Sequence, residues 1–123
     1  MATVRMALAA ALLFLCSGCG SSYSSPTNPT TPSTGGNGTA VSIVHGASTL
    51  TTTAFAPSPV TVAVGGSVTW TNNDNTSHTS TGSSWNSGAI APGASYTMTF
   101  PAAGTFTYHC TIHPGMTGIV TVQ

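Results

Sequence analysis

From Ala40 onward the chain is a succession of short runs in which Val, Thr and aromatic residues alternate with polar ones, each closed by Gly or Pro. A period of two gives a strand one buried face, and no stretch carries the 3.6-residue repeat of a helix. The spacing predicts strands at 40–45, 60–64, 67–71, 94–100, 105–110 and 118–122, with turns at Gly65-Gly66, Pro92-Gly93, Pro101 to Gly104 and Pro114-Gly115. Short strands so closely spaced imply an all-β domain with one core, a β-sandwich or a small barrel. Alternation turns Val60, Val62 and Val64, Val68 and Trp70, Tyr96, Met98 and Phe100, and Phe106, Tyr108 and Cys110 inward. By the same period His109 points outward.

Such a domain has few groups with which to do chemistry. Of 123 residues one is Lys or Arg (Arg5) and one is Asp or Glu (Asp74), so 2% are charged, against roughly a quarter in an ordinary domain. Nucleic-acid binding needs clustered cations, and none exist. Paired-carboxylate catalysis needs two carboxyl groups, and lysine chemistry needs a lysine. What remains is four His, three Cys and four Met, an inventory suited to holding a metal.

The first residues are of another kind. Arg5 precedes an apolar run from Met6 to Leu15, then Ser17-Gly18 and Cys19. About ten apolar residues fall short of the roughly 20 that span a bilayer, and the pattern is that of a secretory signal over residues 1–18. Its end resembles a bacterial lipoprotein signal, which implies lipid attachment at Cys19; Cys16 departs from the aliphatic residue usual three positions earlier. Residues 19–39, rich in Ser, Thr and Pro, hold too little apolar material for a core and are expected to form a disordered tether ahead of a domain over 40–123. A lipidated Cys19 leaves Cys110 without a disulfide partner in an oxidising compartment. Cys110 is then either a buried inert thiol or a thiolate held by a metal.

The segment Cys110-Thr111-Ile112-His113-Pro114-Gly115-Met116 sets Cys, His and Met at three-residue steps where a strand gives way to a loop, and His78 lies in an upstream loop after the strand ending at Thr71. Two imidazoles, a thiolate and a thioether select copper, and a His₂Cys plane with a weak axial Met is the electron-transfer geometry of that ion. A loop can converge three ligands because it need not alternate faces. His45 and His109 have no sulfur at ligand spacing and read as exposed strand residues. Met98, Trp70 and Trp85 read as packing.

These residues carry a resemblance. Cys110-x-x-His113-x-x-Met116 is similar to the short ligand loop of amicyanin, and Trp70-Thr71-Asn72 followed by His78 resembles its first-ligand region. Ser87 to Gly93, Gly104 to Tyr108 and the closing Gly118 to Val122 follow the same family, so residues 40–123 resemble a small cupredoxin of the plastocyanin and amicyanin type. The resemblance implies a single-domain Greek-key β-sandwich holding one copper ion by His78, Cys110, His113 and Met116, with Asn72 bracing the two ligand loops. Three positions depart from it: Ser77 stands where Pro is usual, Thr79 where Asn often follows the first His, and Ile112 where the similar loop has Pro. A backbone N–H at Ile112 is expected to donate to the Cys110 sulfur, alongside a donor near Asn72 or Asn73.

The function implied is one-electron transfer by Cu(II)/Cu(I) in the bacterial cell envelope, at the periplasm or cell surface. The chain is expected to be a carrier and not an enzyme, monomeric, exchanging electrons with redox proteins of the envelope and touching a membrane only through its N-terminal lipid. The alternative from the same ligands is a copper storage, sensing or delivery module.

Overall fold

The computed structural model describes residues 37–123. The signal segment at 1–18, the lipid site at Cys19 and the linker up to residue 36 lie outside the described residues. Two four-stranded sheets face each other, formed from β1 (Gly38–Ile43), β2 (Phe55–Ala56), β3 (Val60–Val62), β4 (Ser67–Asn72), β5 (Thr81–Gly82), β6 (Ser95–Thr99), β7 (Gly104–His109) and β8 (Thr117–Val122). One sheet has the order β2-β1-β4-β6 and the other β3-β8-β7-β5. Parallel pairing of β1 with β4 and of β3 with β8 joins strands far apart in the chain, so the polypeptide crosses repeatedly between layers. This is the expected β-sandwich.

Alternation sets the inner faces. On β4, Val68, Trp70 and Asn72 are buried while Ser67, Thr69 and Thr71 are partly exposed, and on β8 the buried set is Gly118, Val120 and Val122. Trp70 lies at the centre, stacked on Trp85 at 5.9 Å and meeting Tyr108 edge-on at 5.3 Å. Burying such rings contributes most of what a small sandwich has to set against chain entropy. Gly118 is opposite Tyr108 in the β7–β8 register, and a Cβ there would lie 2.3 Å from the Tyr108 Cζ. Only glycine lets the phenol ring lie against that strand.

Three expectations are corrected. The first strand runs over Gly38–Ile43 and not 40–45, so Gly38 and Thr39, assigned by composition to the linker, pair with Ser67 and Val68. His45 consequently sits in the turn after β1, exposed, and not on a strand. Val64 is 48% exposed instead of inward, because β3 ends at Val62 and the chain turns through Gly65 at a positive φ of 81°. The two-residue strands β2 and β5 are too short for any periodicity to announce them.

Candidate metal centre

Two loops meet at one end of the sandwich. The first leaves β4 at Asn72, whose Nδ2 donates to the carbonyls of Thr76 and Ile90, both at 2.8 Å, while its Oδ1 accepts the Asp74 N–H at 2.9 Å. Asn72 therefore closes the loop on itself, where a polar side chain at the end of a strand can satisfy backbone groups that have left the sheet. His78 is fixed by a two-way backbone bridge with Ile90, at 3.2 and 2.7 Å. The second loop leaves β7 at His109. It folds back through Met116 N–H to the His113 carbonyl at 3.0 Å and Cys110 N–H to the Met116 carbonyl at 3.1 Å, which brings residues 110–116 into a tight ring before β8.

The result is a triangle of ligand atoms. His78 Nδ1 and His113 Nδ1 are 3.1 Å apart, and the Cys110 Sγ lies 3.9 Å from the first and 3.8 Å from the second. A point equidistant from these corners is about 2.1 Å from each, close to the bond length of a first-row metal to imidazole nitrogen. His78 and Cys110 are fully buried and His113 is half-buried, so the site is closed on the protein side and reaches solvent at one imidazole. Among the described residues Cys110 has no disulfide partner. Met116 is fully buried at the end of the same ring.

The orientation of His78 comes from a residue to which sequence reasoning gave no role. Asp74, the only charged side chain among the described residues, is buried, and its Oδ2 accepts a hydrogen bond from His78 Nε2–H at 2.8 Å. Its Oδ1 accepts the N–H groups of Gly46 and Asn75 at 2.9 and 2.8 Å, and the Thr76 hydroxyl donates to Oδ2 at 3.3 Å. The Gly46 N–H first, and His78 after it, hold the Asp74 carboxyl well below the usual carboxylate range against the opposing effect of burial. With the proton on Nε2, the Nδ1 lone pair of His78 faces the triangle. A carboxylate on the far nitrogen of a ligand imidazole fixes tautomer and ring orientation in this way. The signal was present as a lone acidic residue four positions before His78.

Thr79 makes the bridge between the loops that was assigned to Asn72. Its N–H donates to the Cys110 sulfur at 3.3 Å, its Oγ1 accepts the Thr111 N–H at 2.8 Å, and the two hydroxyls are 3.1 Å apart. Among the described residues Thr79, and not Ile112, Asn72 or Asn73, supplies the N–H on the sulfur. Ile112 is 47% exposed at the rim of the loop. The other histidines stay outside: His109 is exposed, and His45, with its side chain 81% exposed, touches the site only through its Nδ1, 3.7 Å from the Asp74 Oδ1.

Comparison with known proteins gives the same direction. The family model of copper binding proteins of the plastocyanin/azurin family matches residues 79–123, which include Cys110, His113 and Met116 and begin one residue after His78. A plastocyanin of Scenedesmus fuscus is 39% identical over 84 residues, covering 56% of this chain and 86% of that protein. Among solved structures, a purple cupredoxin from Nitrosopumilus maritimus superposes with a TM-score of 0.65 at 28% identity, covering 68% of this chain and 98% of that one. An amicyanin variant in its reduced Cu(I) form at pH 4 gives 0.56 at 29% identity, covering 68% of this chain and 80% of that one.

Proposed function

The chain belongs to the copper-binding plastocyanin family of cupredoxins, and on that premise we propose that it carries single electrons on one copper ion, which His78, Cys110 and His113, together with the Met116 thioether, would hold. The observation that carries the reading is the triangle of two Nδ1 atoms and one Sγ. Copper, when bound there, supplies the one-electron Cu(II)/Cu(I) couple. The protein's own part is to keep the ligands in place through both states. Asp74 holds the His78 ring, the Ile90 bridge holds its backbone, and Thr79 ties the Cys110 loop to the His78 loop. A preorganised set of donors lowers the rearrangement that accompanies a change of charge. The Thr79 N–H on the sulfur withdraws density from the thiolate, which weakens its donation to the metal and favours the reduced ion.

The signal-like residues 1–18 and the lipoprotein-like Cys19 support export and a lipid anchor in a bacterial envelope, with residues 20–36 as the spacer between anchor and domain. Its partners are then other redox proteins of that compartment, met by a monomer through uncharged surface. A storage or delivery module would use the same ligands, and turnover separates the two. Copper-loaded protein should show an intense thiolate band in the visible and a reversible one-electron wave. A weak or absent band overturns the site, and a band without reversible electron exchange favours the module. Cys110→Ser should abolish the band and leave a folded sandwich, since the core does not depend on the ion.

A further inference from the structure

A buried carboxylate is costly unless every oxygen is hydrogen-bonded. Asp74 meets that condition with donors from Gly46, Asn75, Thr76 and His78, of which Gly46 belongs to the turn after β1 and the rest to the ligand loop itself. All four donors need acceptors on both oxygens, and an amide, which offers one, would turn its own N–H groups against two of them, so the loop is built around a carboxylate and brings its charge into the interior. That charge sits in contact with the ring of His78. On the far side of the carboxylate, the exposed His45 places its Nδ1 3.7 Å from Oδ1.

We propose that Asp74 is a positioning residue that also serves as a fixed counter-charge for the copper, and that His45 is the solvent-side contact through which that charge can be reached. The inference rests on the copper reading above. A thiolate and one carboxylate together balance a doubly charged ion, and reduction leaves the pair with one uncompensated negative charge in a site of low dielectric. Asp74 thus favours the oxidised ion, opposing the Thr79 N–H on the sulfur. A positive charge at position 45 offsets the carboxylate and shifts the balance toward the reduced ion, less strongly because that position faces water. The line His45–Asp74–His78 connects the turn after β1 to the metal, and no residue of the loop 110–116 takes part in it.

The test uses the copper-loaded full chain as wild type, Asp74→Asn, His45→Lys, His45→Gln and the double variant Asp74→Asn/His45→Lys, with the thiolate band and midpoint potential read at one pH. Asp74→Asn should keep the band and, poised at the wild-type midpoint, lower the oxidised-to-reduced ratio at least tenfold, which for one electron is 59 mV. His45→Lys should shift the potential the same way by less, His45→Gln should stay near wild type, and His45→Lys should shift it less again in the Asp74→Asn background, where no carboxylate draws the ammonium toward the site. Because a lysine at position 45 also acts on the copper directly, the comparison of backgrounds discriminates: a purely structural Asp74 would give His45→Lys the same shift in the wild-type and Asp74→Asn backgrounds. Wild-type potential in banded Asp74→Asn, or in His45→Lys, overturns the inference, as does an equal His45→Lys shift in both backgrounds; should Asp74→Asn fail to fold or bind copper, a wild-type potential in His45→Lys still overturns it. A wild-type chain with no thiolate band overturns the copper reading and this inference with it, whereas a banded wild type with an indifferent His45→Lys overturns this inference alone.

Discussion

The backbone N–H of Thr79 points at the sulfur of Cys110 across 3.3 Å, although 31 positions separate the two in sequence. The same threonine accepts the Thr111 N–H on its hydroxyl, so one residue ties both ligand loops together by two different atoms. Thr79→Val keeps the shape and the N–H on the sulfur but removes the acceptor. It should cost about 1–3 kcal/mol, the penalty for an unpaired polar group in a partly buried site, and speed loss of copper to a chelator, while Thr79→Ser should restore both. Thermal denaturation and chelator kinetics check it, and a valine variant as stable and retentive as wild type would contradict the bridge.

Alkaline stability should depend on Tyr108. Burial pushes its phenol up to about 12, opposed by the neighbouring Trp70 side chain, and its hydroxyl has no hydrogen-bond partner among the described residues. Because the folded value exceeds the ordinary 10, the unfolded chain ionises first and the native state keeps its proton. The contribution is fully present below pH 10 and is lost as pH rises toward 12, on the order of 2 kcal/mol in all. Tyr108→Phe should flatten that limb and change stability near neutrality by less than about 1 kcal/mol. Denaturant unfolding across this window decides it; an equally steep loss in the phenylalanine variant would assign the effect elsewhere. With no Lys in the chain, few other groups titrate there.

Gly118→Ala should be destabilising by about 1–3 kcal/mol, the usual cost of forcing extra volume into a packed core. The added Cβ would meet the Tyr108 ring at Cζ, Cε1 and the hydroxyl, all within 2.7 Å. Repeating the substitution in a Tyr108→Leu background should cost less, because the obstructing ring is gone. Urea midpoints measure both, and equal costs in the two backgrounds would show that Tyr108 is not the obstacle.

Electron exchange with a protein partner should be nearly independent of ionic strength. The one charged side chain in residues 37–123 is buried, which leaves no charged side chain at the surface of the described domain to steer an approach through solution. Rates measured from low to high salt should superimpose. A steep fall with salt would place the docking charge outside the described domain.

The residues of the second ligand loop were legible because Cys110, His113 and Met116 fall within one short turn, where spacing along the chain nearly dictates spacing in space. The sandwich was legible for a related reason: a period of two can serve only a half-buried strand, and Val68-x-Trp70 and Tyr108-x-Cys110 follow it. Asp74, Thr79 and the Gly118–Tyr108 contact were settled by tertiary structure. Thr79 reaches Cys110, and the Gly46 turn reaches Asp74, only because β1 lies beside β4 and β5 beside β7 in a particular register. Val64 and Ile112 went the other way, since a strand that stops two residues early or a loop that turns its amide aside changes no local pattern. The sequence by itself determined which groups could hold a metal, through residue chemistry and short-range spacing. Which neighbours orient and charge those groups was decided by the pairing of distant strands, a register fixed by the packing of the whole core.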